Sequence, residues 1–428
     1  ESYLNIKNIL NAAKSTGADA IHPGYGFLSE NDNFSRECEA AGICFIGPSP
    51  EIIKLMGNKA EAKRKMIEIG VPCIPGYQSQ EQSDKPLIEA AKEIGFPIMI
   101  KAAAGGGGRG MRLIDNPKDM ESALSSARSE ALRSFGSDEL ILEKALEKPL
   151  HIEVQVFGDK HGNYLHMGER DCSIQRRHQK VIEESPGPSI PMGLQEVMGS
   201  TSVEIIRSIE YVGAGTIEYL VDGEKFYFLE MNTRIQVEHA VTEMVTGLDL
   251  VSMQIDVAEG KPLAITQDEI ILNGHAIEAR LYAENPNNDF LPSPGKVYYW
   301  KPHESNDVRI DHSISSSQEI SRFYDPMIAK VIAWGSNREA SRKRLINALN
   351  KSIFFGTNNN KHFLTSVLES EEFISADVNT NFLSERFHYK DITEDIKLRL
   401  TPLVASFQFL KDQKRLYDKS LLSNNSLL

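Results

Sequence analysis

Glu230-Met231-Asn232-Thr233-Arg234-Ile235-Gln236-Val237-Glu238-His239 has a polar or charged residue at every even position and Met, Thr, Ile or Val at the odd ones until His239. Successive side chains of an extended chain point to opposite faces, so this spacing predicts one face bearing Glu230, Asn232, Arg234, Gln236 and Glu238. Upstream, Thr216-Ile217-Glu218-Tyr219-Leu220-Val221 leads through Asp222-Gly223 into Phe226-Tyr227-Phe228-Leu229, the pattern of a β-hairpin. A loop of Gly223–Lys225 sets Glu218 opposite Glu230. Two carboxylates facing each other on a sheet repel unless a cation lies between them, and two acids with an Asn carbonyl form a hard oxygen site suited to Mg²⁺ shared with phosphates. The competing reading is a solvated strand face laced with salt bridges, against which the aromatic and aliphatic neighbours argue for burial.

A second charged stretch, Glu169-Arg170-Asp171-Cys172-Ser173-Ile174-Gln175-Arg176-Arg177-His178-Gln179-Lys180, gathers five cationic or potentially cationic side chains. Such a run is ordinarily a solvated face. Here it lies between the strand-like Tyr164-Leu165-His166-Met167 and Val181-Ile182, and a basic row on a strand is what a polyphosphate site requires. Gly105-Gly106-Gly107-Gly108-Arg109-Gly110 fits G-x-G-x-x-G in letters, but a dinucleotide fingerprint needs a helix straight after the glycines, and Met111-Arg112-Leu113-Ile114 reads as a strand. What remains is a glycine-rich hairpin tip whose N–H groups can close on phosphate oxygens beside Lys101, or else a mobile solvent loop.

Around these segments the chain alternates helix and strand at first. Leu4, Ile6, Ile9, Leu10 and Ala13 recur at helical spacing before Gly17 and the short run Ala20-Ile21; a helix near residues 31–41 and the strand Cys44-Phe45-Ile46 repeat the unit, which predicts a parallel sheet covered by helices. Helix, strand, glycine run, strand, helix and strand follow over residues 85–143, and strands dominate from about residue 150, broken by one long helix near residues 192–211. The expected organisation is α/β and α+β: a truncated parallel-sheet domain over 1–72, a small domain over 73–146, a large antiparallel-rich domain over 147–394, and the helical start of a linker or partner-interaction region over 395–428. With 47 Lys and Arg against 60 Asp and Glu the formal charge is −13, which gives no general attraction to nucleic acid or anionic lipid. No apolar run approaches the roughly 20 residues of a membrane span. Cys38, Cys44, Cys73 and Cys172 stand singly, without the spacing of a zinc site or disulfide framework, which fits a reducing compartment. The start at Glu1-Ser2-Tyr3 reads as that of a fragment or processed form.

Over residues 2 to about 390 the segments resemble the biotin carboxylases, members of the ATP-grasp enzymes. The agreement is carried by His22-Pro23-Gly24-Tyr25-Gly26-Phe27-Leu28-Ser29-Glu30-Asn31, the Lys101 glycine loop, Glu169–Lys180 with Glu183-Glu184, and Glu230–His239, together with Gly274-His275-Ala276-Ile277-Glu278-Ala279-Arg280 and Leu291-Pro292-Ser293-Pro294-Gly295. Within that family, Tyr324-Asp325-Pro326-Met327-Ile328-Ala329-Lys330 and the Gln82-Ser83-Asp84 region look most like the biotin-containing α subunits of acyl-CoA carboxylases, those for 3-methylcrotonyl-CoA first and hence leucine catabolism.

The resemblance implies ATP-dependent carboxylation of biotin by bicarbonate. Lys59 and Lys101 then resemble the lysines on ATP phosphates, Gly105, Gly106, Gly107 and Gly108 the lid loop, and Glu143, Lys144, Ala145 and Leu146 the surroundings of adenine and ribose, with His151, Gln175, His178 and Leu220 also in the nucleotide site. Glu218 and Glu230 look like the carboxylates for Mg²⁺ or Mn²⁺, assisted by Asn232. Lys180, Arg234, Gln236 and Val237 match a bicarbonate pocket shared with biotin and Tyr25; Glu238 resembles the base that deprotonates bicarbonate, and Arg280 the cation that stabilises the biotin enolate. The implied partners are a biotin carrier domain and a carboxyltransferase β subunit, in an oligomer, in the bacterial cytoplasm or the mitochondrial matrix. Three departures stand out: Ala103-Ala104 where many relatives have Ser-Gly, a start downstream of the family's first βαβ unit, and no Ala-Met-Lys-Met biotinylation sequence.

Overall fold

The computed structural model describes residues 2–104, 110–303 and 305–389, with 406, 409–411 and 413. The chain divides into one unit of residues 1–286 and 290–387 and a second of 287–289 and 388–428, and the strands and helices named below lie in the first. The lid-loop expectation for Gly105–Gly108 lies outside the described residues, as does nearly all of the expected helical tail.

The opening stretch forms α1 (Ile6–Thr16), β1 (Ala20–Ile21), α2 (Asp32–Ala40), β2 (Cys44–Phe45), α3 (Pro50–Gly57) and α4 (Lys59–Glu68). Gly17 ends α1 at φ 68°, a left-handed conformation open to glycine, and β1 and β2 pair in parallel as expected. Leu10, Phe34, Cys38, Phe45 and Ile53 close their core. Next come β3 (Gly76–Tyr77), α5 (Asp84–Ile94), β4 (Ile98–Ala102), β5 (Arg112–Ile114), α6 (Met120–Phe135) and β6 (Leu140–Lys144). Their sheet runs β3-β6-β4-β5, with Leu87 and Ala91 of α5 and Leu124 and Ala127 of α6 packed on Ile98, Ile100, Leu140 and Leu142. The strands flanking the glycine run pair antiparallel, Ile98 with Ile114 and Ile100 with Arg112, so the run joins a hairpin and no dinucleotide helix follows it.

From Leu150 the chain makes β7 (Leu150–Gly158), β8 (Tyr164–Arg176), β9 (Gln179–Ser185), α7 (Leu194–Ser208), β10 (Gly213–Asp222), β11 (Lys225–Asn232), α8 (His239–Thr246), α9 (Leu250–Ala258) and β12 (His275–Tyr282). After them come β13 (Glu284–Asn285), β14 (Leu291–Pro292), β15 (Gly295–Lys296), β16 (Tyr299–Lys301), β17 (Val308–His312), β18 (Glu319–Ile320), β19 (Met327–Gly335), α10 (Arg338–Lys351), β20 (Ile353–Phe355) and α11 (Lys361–Glu369). Eight strands join one antiparallel sheet in the order β11-β10-β7-β8-β9-β12-β19-β17, and the remaining short strands pair in ribbons. In β7, Ile152, Val154 and Val156 alternate with His151, Glu153 and Gln155, so one face is apolar and the other polar. The apolar face joins Ile217, Tyr219 and Val221 of β10 and is covered by Met198, Ile205 and Ile206 of α7. Truncating a fully buried member such as Ile205 to Ala costs about 2–5 kcal/mol, so the polar face is held on a stiff platform.

Three local expectations need correction. The hairpin turn is the two-residue Gly223-Glu224, since Asp222 pairs with Lys225; a β-bulge between Glu218 and Tyr219 adds one residue to β11 and restores Glu218 opposite Glu230. The basic stretch is not one row on a strand, because β8 runs on to Arg176 and turns through Arg177 and His178, at φ 50° and 65°, into β9. Both turn residues sit at positive φ, as the twist of a tight hairpin demands. The alternating face of residues 230–239 is extended only as far as Asn232; the chain then bends, and Glu238 caps α8 at φ −82° and ψ 8°.

Candidate active site

Cross-strand register assembles the polar face. Glu153 on β7 stands opposite Glu218 on β10 and opposite Arg170 on β8. Arg170 is wholly buried, and its guanidinium spends every donor: Nε on Glu153 Oε1 (2.5 Å), Nη1 on Gln155 Oε1 (2.7 Å) and Thr242 Oγ1 (3.0 Å), Nη2 on Gln236 Oε1 (2.9 Å) and Thr216 Oγ1 (3.2 Å). It is the internal brace that ties α8 and the 233–238 bend to the sheet. Lys180 enters from β9 and donates to three carboxylates, Glu153 Oε2 (2.5 Å), Glu238 Oε1 (2.7 Å) and Glu218 Oε1 (2.9 Å), one for each ammonium proton. Burial works against its charge, yet the three acids hold Lys180 protonated well above the usual lysine range.

Glu218 also accepts from Asn232 Nδ2 (2.8 Å) and Gln236 Nε2 (2.7 Å) on Oε1, and meets His151 Nε2 at 2.8 Å on Oε2. Burial opposes its ionisation, but Lys180 and His151 hold it well below the ordinary carboxylate range. Its partner in register, Glu230, pairs with Lys59 at the start of α4. Lys59 is lowered to about 8, by burial first and then by Lys101. The amide oxygen of Asn232 accepts from Arg234 Nη2 (2.9 Å), whose Nε is on Glu30 (2.9 Å). Two register-paired carboxylates, each already holding a lysine ammonium, with an amide oxygen alongside, are a hard donor set that attracts positive charge and fits Mg²⁺ or Mn²⁺. The donor atoms of His151, Glu153 and Glu218 also lie within 4.8 Å of one another.

Glu238 lies between two cations. Its Oε1 takes Lys180, and its Oε2 takes Arg280 Nη2 at 3.0 Å. Burial would raise it, but Lys180 and Arg280 hold it ionised far below the usual range. Arg280 Nε is in turn on Glu183 Oε1 at 2.5 Å, and Lys330, its register partner on β19, donates to the Val237 carbonyl at 2.6 Å.

In the four-stranded sheet Glu143 is buried between Lys101 (2.5 Å) and Lys63 (3.0 Å). Burial raises it, but the two lysines prevail and hold it at about 2. Lys144 donates to the Gly95 and Phe96 carbonyls, and Ala145 N–H to that of Pro97, so residues 144–146 form a fixed exit from β6. Gln175 is buried at the end of β8 opposite Lys180, Leu220 stands opposite His151, and His178 is exposed at the β8–β9 turn. Partial loss of solvent around the ring, and then the charges of Lys101 and His151, lower His178. Tyr25 is 37% exposed. Glu153, Lys63 and Lys330 escaped the reading of the sequence. The polar alternation of His151, Glu153 and Gln155 within an otherwise apolar strand was the available signal for the first; Lys63 carries none, and Lys330 ends the 324–330 motif with no role read for it.

Three family models match the chain: the biotin carboxylase N-terminal domain over residues 1–53, the carbamoyl-phosphate synthase L chain ATP-binding domain over 58–266, and the biotin carboxylase C-terminal domain over 278–385. A biotin carboxylase of Nostoc sp. is 47% identical over 386 residues, 90% of this chain and 86% of the relative. The mitochondrial methylcrotonoyl-CoA carboxylase subunit alpha of Dictyostelium discoideum is 46% identical over 385 residues, and the chain spans only 55% of its length. Among solved structures, the biotin carboxylase domain dimer of Hydrogenobacter thermophilus 2-oxoglutarate carboxylase, in complex with MgADP, ADP and bicarbonate, matches with a TM-score of 0.88 at 43% identity, covering 91% of this chain and 87% of that one.

Proposed function

The chain belongs to the biotin carboxylase family, with the ATP-grasp architecture, and from that premise we propose that it carboxylates biotin with bicarbonate at the expense of ATP. The observation that supports this most directly is Glu238, an ionised carboxylate set between Lys180 and Arg280 beside an acid pair that attracts cations. Glu218 and Glu230, with Asn232, would hold Mg²⁺, which when bound supplies charge neutralisation to the phosphates. Lys59 and Lys101, near enough for the charge of Lys101 to act on Lys59, add positive charge; phosphoryl transfer needs such neutralisation and alignment more than covalent help. Lys180, Arg234, Gln236 and the Val237 backbone form the pocket for bicarbonate.

In this reading Glu238 takes the bicarbonate proton while the bicarbonate oxygen bonds to the γ-phosphorus and the bond to ADP breaks. Glu238 is a weak base while both cations rest on it. An anion bound among Lys180, Arg234 and Arg280 competes for them, and each ion pair drawn away raises the carboxylate toward its ordinary range. Arg280 then offsets negative charge on the carboxyl acceptor. ADP release measured with and without bicarbonate and free biotin tests the reading: turnover should need both, and a rate indifferent to both overturns it.

The fuller role is that of the α subunit of an acyl-CoA carboxylase, first of all for 3-methylcrotonyl-CoA, supported by the relative from Dictyostelium. It would work with a biotin carrier and a carboxyltransferase subunit, in a dimer like that of the Hydrogenobacter domain, in the bacterial cytoplasm or mitochondrial matrix. Among the described residues no helix is long and apolar enough to cross a membrane.

A further inference from the structure

Glu183 on β9 and Glu278 on β12 stand directly opposite each other, both fully buried. Glu183 Oε1 holds Arg280 Nε, but Glu183 Oε2 and both oxygens of Glu278 have no hydrogen-bond partner among the described residues. Two register-paired carboxylates without a donor between them cannot both stay ionised in the interior; a proton between them removes the repulsion and supplies the missing donor.

The charged groups around them are few. Glu183 feels Arg280, Glu278, Glu238 and Lys180; Glu278 feels Lys330 on β19, Arg280, Glu238 and Asp311 on β17. On α8, which packs on β12, the titratable side chains are His239, lowered to about 4 by burial and then Lys330, and Glu243, which is paired with Arg309. Lys330 donates to the Val237 carbonyl and lies 3.3 Å from Asp311, and neither oxygen of Glu278 has a hydrogen bond from it. Burial, the largest effect, raises both acids, Glu183 to about 8 and Glu278 to about 7.

We propose that Glu183 and Glu278 share one proton and act together as positioning residues for Arg280, anchoring its Nε edge to the sheet and leaving its Nη2 edge for Glu238 and the reacting anion. The proposal rests on the biotin carboxylase reading for its kinetic consequences, but the shared proton does not depend on it. When the pair loses that proton at alkaline pH, a second negative charge draws the guanidinium toward the sheet and away from the reacting anion. When one acid is neutral, Arg280 keeps a single anchor.

Infrared difference spectroscopy of the chain at neutral pH should show a protonated carboxyl stretch that is absent from Glu278→Gln. In kinetics, Glu183→Gln should lower biotin-dependent kcat about 10- to 100-fold with the KM for ATP unchanged, as a misplaced Arg280 requires. Glu278→Gln, a permanently neutral copy whose amide N–H can donate to Glu183 in place of the shared proton, should move the alkaline limb of the pH profile upward. An unchanged carboxyl band in Glu278→Gln overturns the shared proton, and an unmoved alkaline limb overturns the coupling to Arg280. If the parent chain shows no turnover dependent on bicarbonate and biotin, the functional reading fails by itself while the infrared result still decides the pair. Should Glu183→Gln fail to fold, Glu278→Gln carries both measurements.

Discussion

Two pairs of glutamates face each other across neighbouring strands of one sheet, Glu218 with Glu230 and Glu183 with Glu278, and their charge is met in different ways. The first pair lies where β10 and β11 approach α4 and the β9 lysine, so each acid meets an ammonium group, Lys180 or Lys59. The second lies deeper, between β9 and β12, where Arg280 reaches one acid and no donor among the described residues reaches the other. Residue type and direct register pairing are common to both, although a β-bulge adjoins the first. What differs is the supply of cations, and it turns one pair into a candidate metal site and the other into a carboxyl pair that retains a proton.

Glu238 stands between the two pairs, bound to the cation of each, so its removal should have the largest effect. Glu238→Gln should cut turnover about 10²- to 10⁴-fold with ATP binding little changed; an equal loss of ATP affinity would make Glu238 a nucleotide ligand. Breaking the cation of the second pair comes next. Arg280→Gln should lower biotin carboxylation by about 10²-fold, and the slow bicarbonate-dependent ATPase without biotin much less. Equal loss of both rates would remove Arg280 from its assigned role.

Lys180→Met removes the cation that Glu218 of the first pair shares with Glu153 and Glu238, and leaves those three acids facing one another. The expected cost is about 3–5 kcal/mol, read from chemical denaturation, because a buried charge loses its partner. Stability against pH should then separate the pairs by sign. Glu218, depressed in the fold, adds stability that is present above the unfolded value near 4.3 and is lost as pH falls. Glu183 and Glu278, raised in the fold, do the reverse: between about 4.3 and 8 the folded chain binds more protons than the unfolded one, so their contribution falls as pH rises. Relative to the parent, Glu278→Gln should therefore gain about 2–4 °C in Tm from pH 5 to pH 9, and a constant offset would leave the acids without a shared proton. The smallest effect is expected from acyl-CoA. With Lys59 and Lys180 taken up by the first pair and Lys101 assigned to the phosphates, calorimetric titration of several acyl-CoAs should give no saturable binding, and a micromolar acyl-selective site would overturn the assignment of that substrate to another subunit.

The sequence was enough to read the helix-strand order, the hairpin, the acid pair at Glu218 and Glu230, and the family. These depend on local signals: periodicities of 2 and 3.6 and turn residues, and motifs whose spacing is preserved along the chain. Even so, the hairpin register was reached by a different loop, with a shorter turn offset by a bulge, because two compensating one-residue shifts leave the same alternation in the letters. The glutamates and arginine of the second pair were visible in their motifs, but their relation was not. Glu183 and Arg280 are 97 residues apart and meet only because β9 and β12, which are not consecutive in the chain, lie side by side in the sheet. Charge state was decided later still. A carboxylate's proton depends on which donors and cations reach it once water is excluded, and that is settled by the packing of the sheet and α8, not by the identity of the acid.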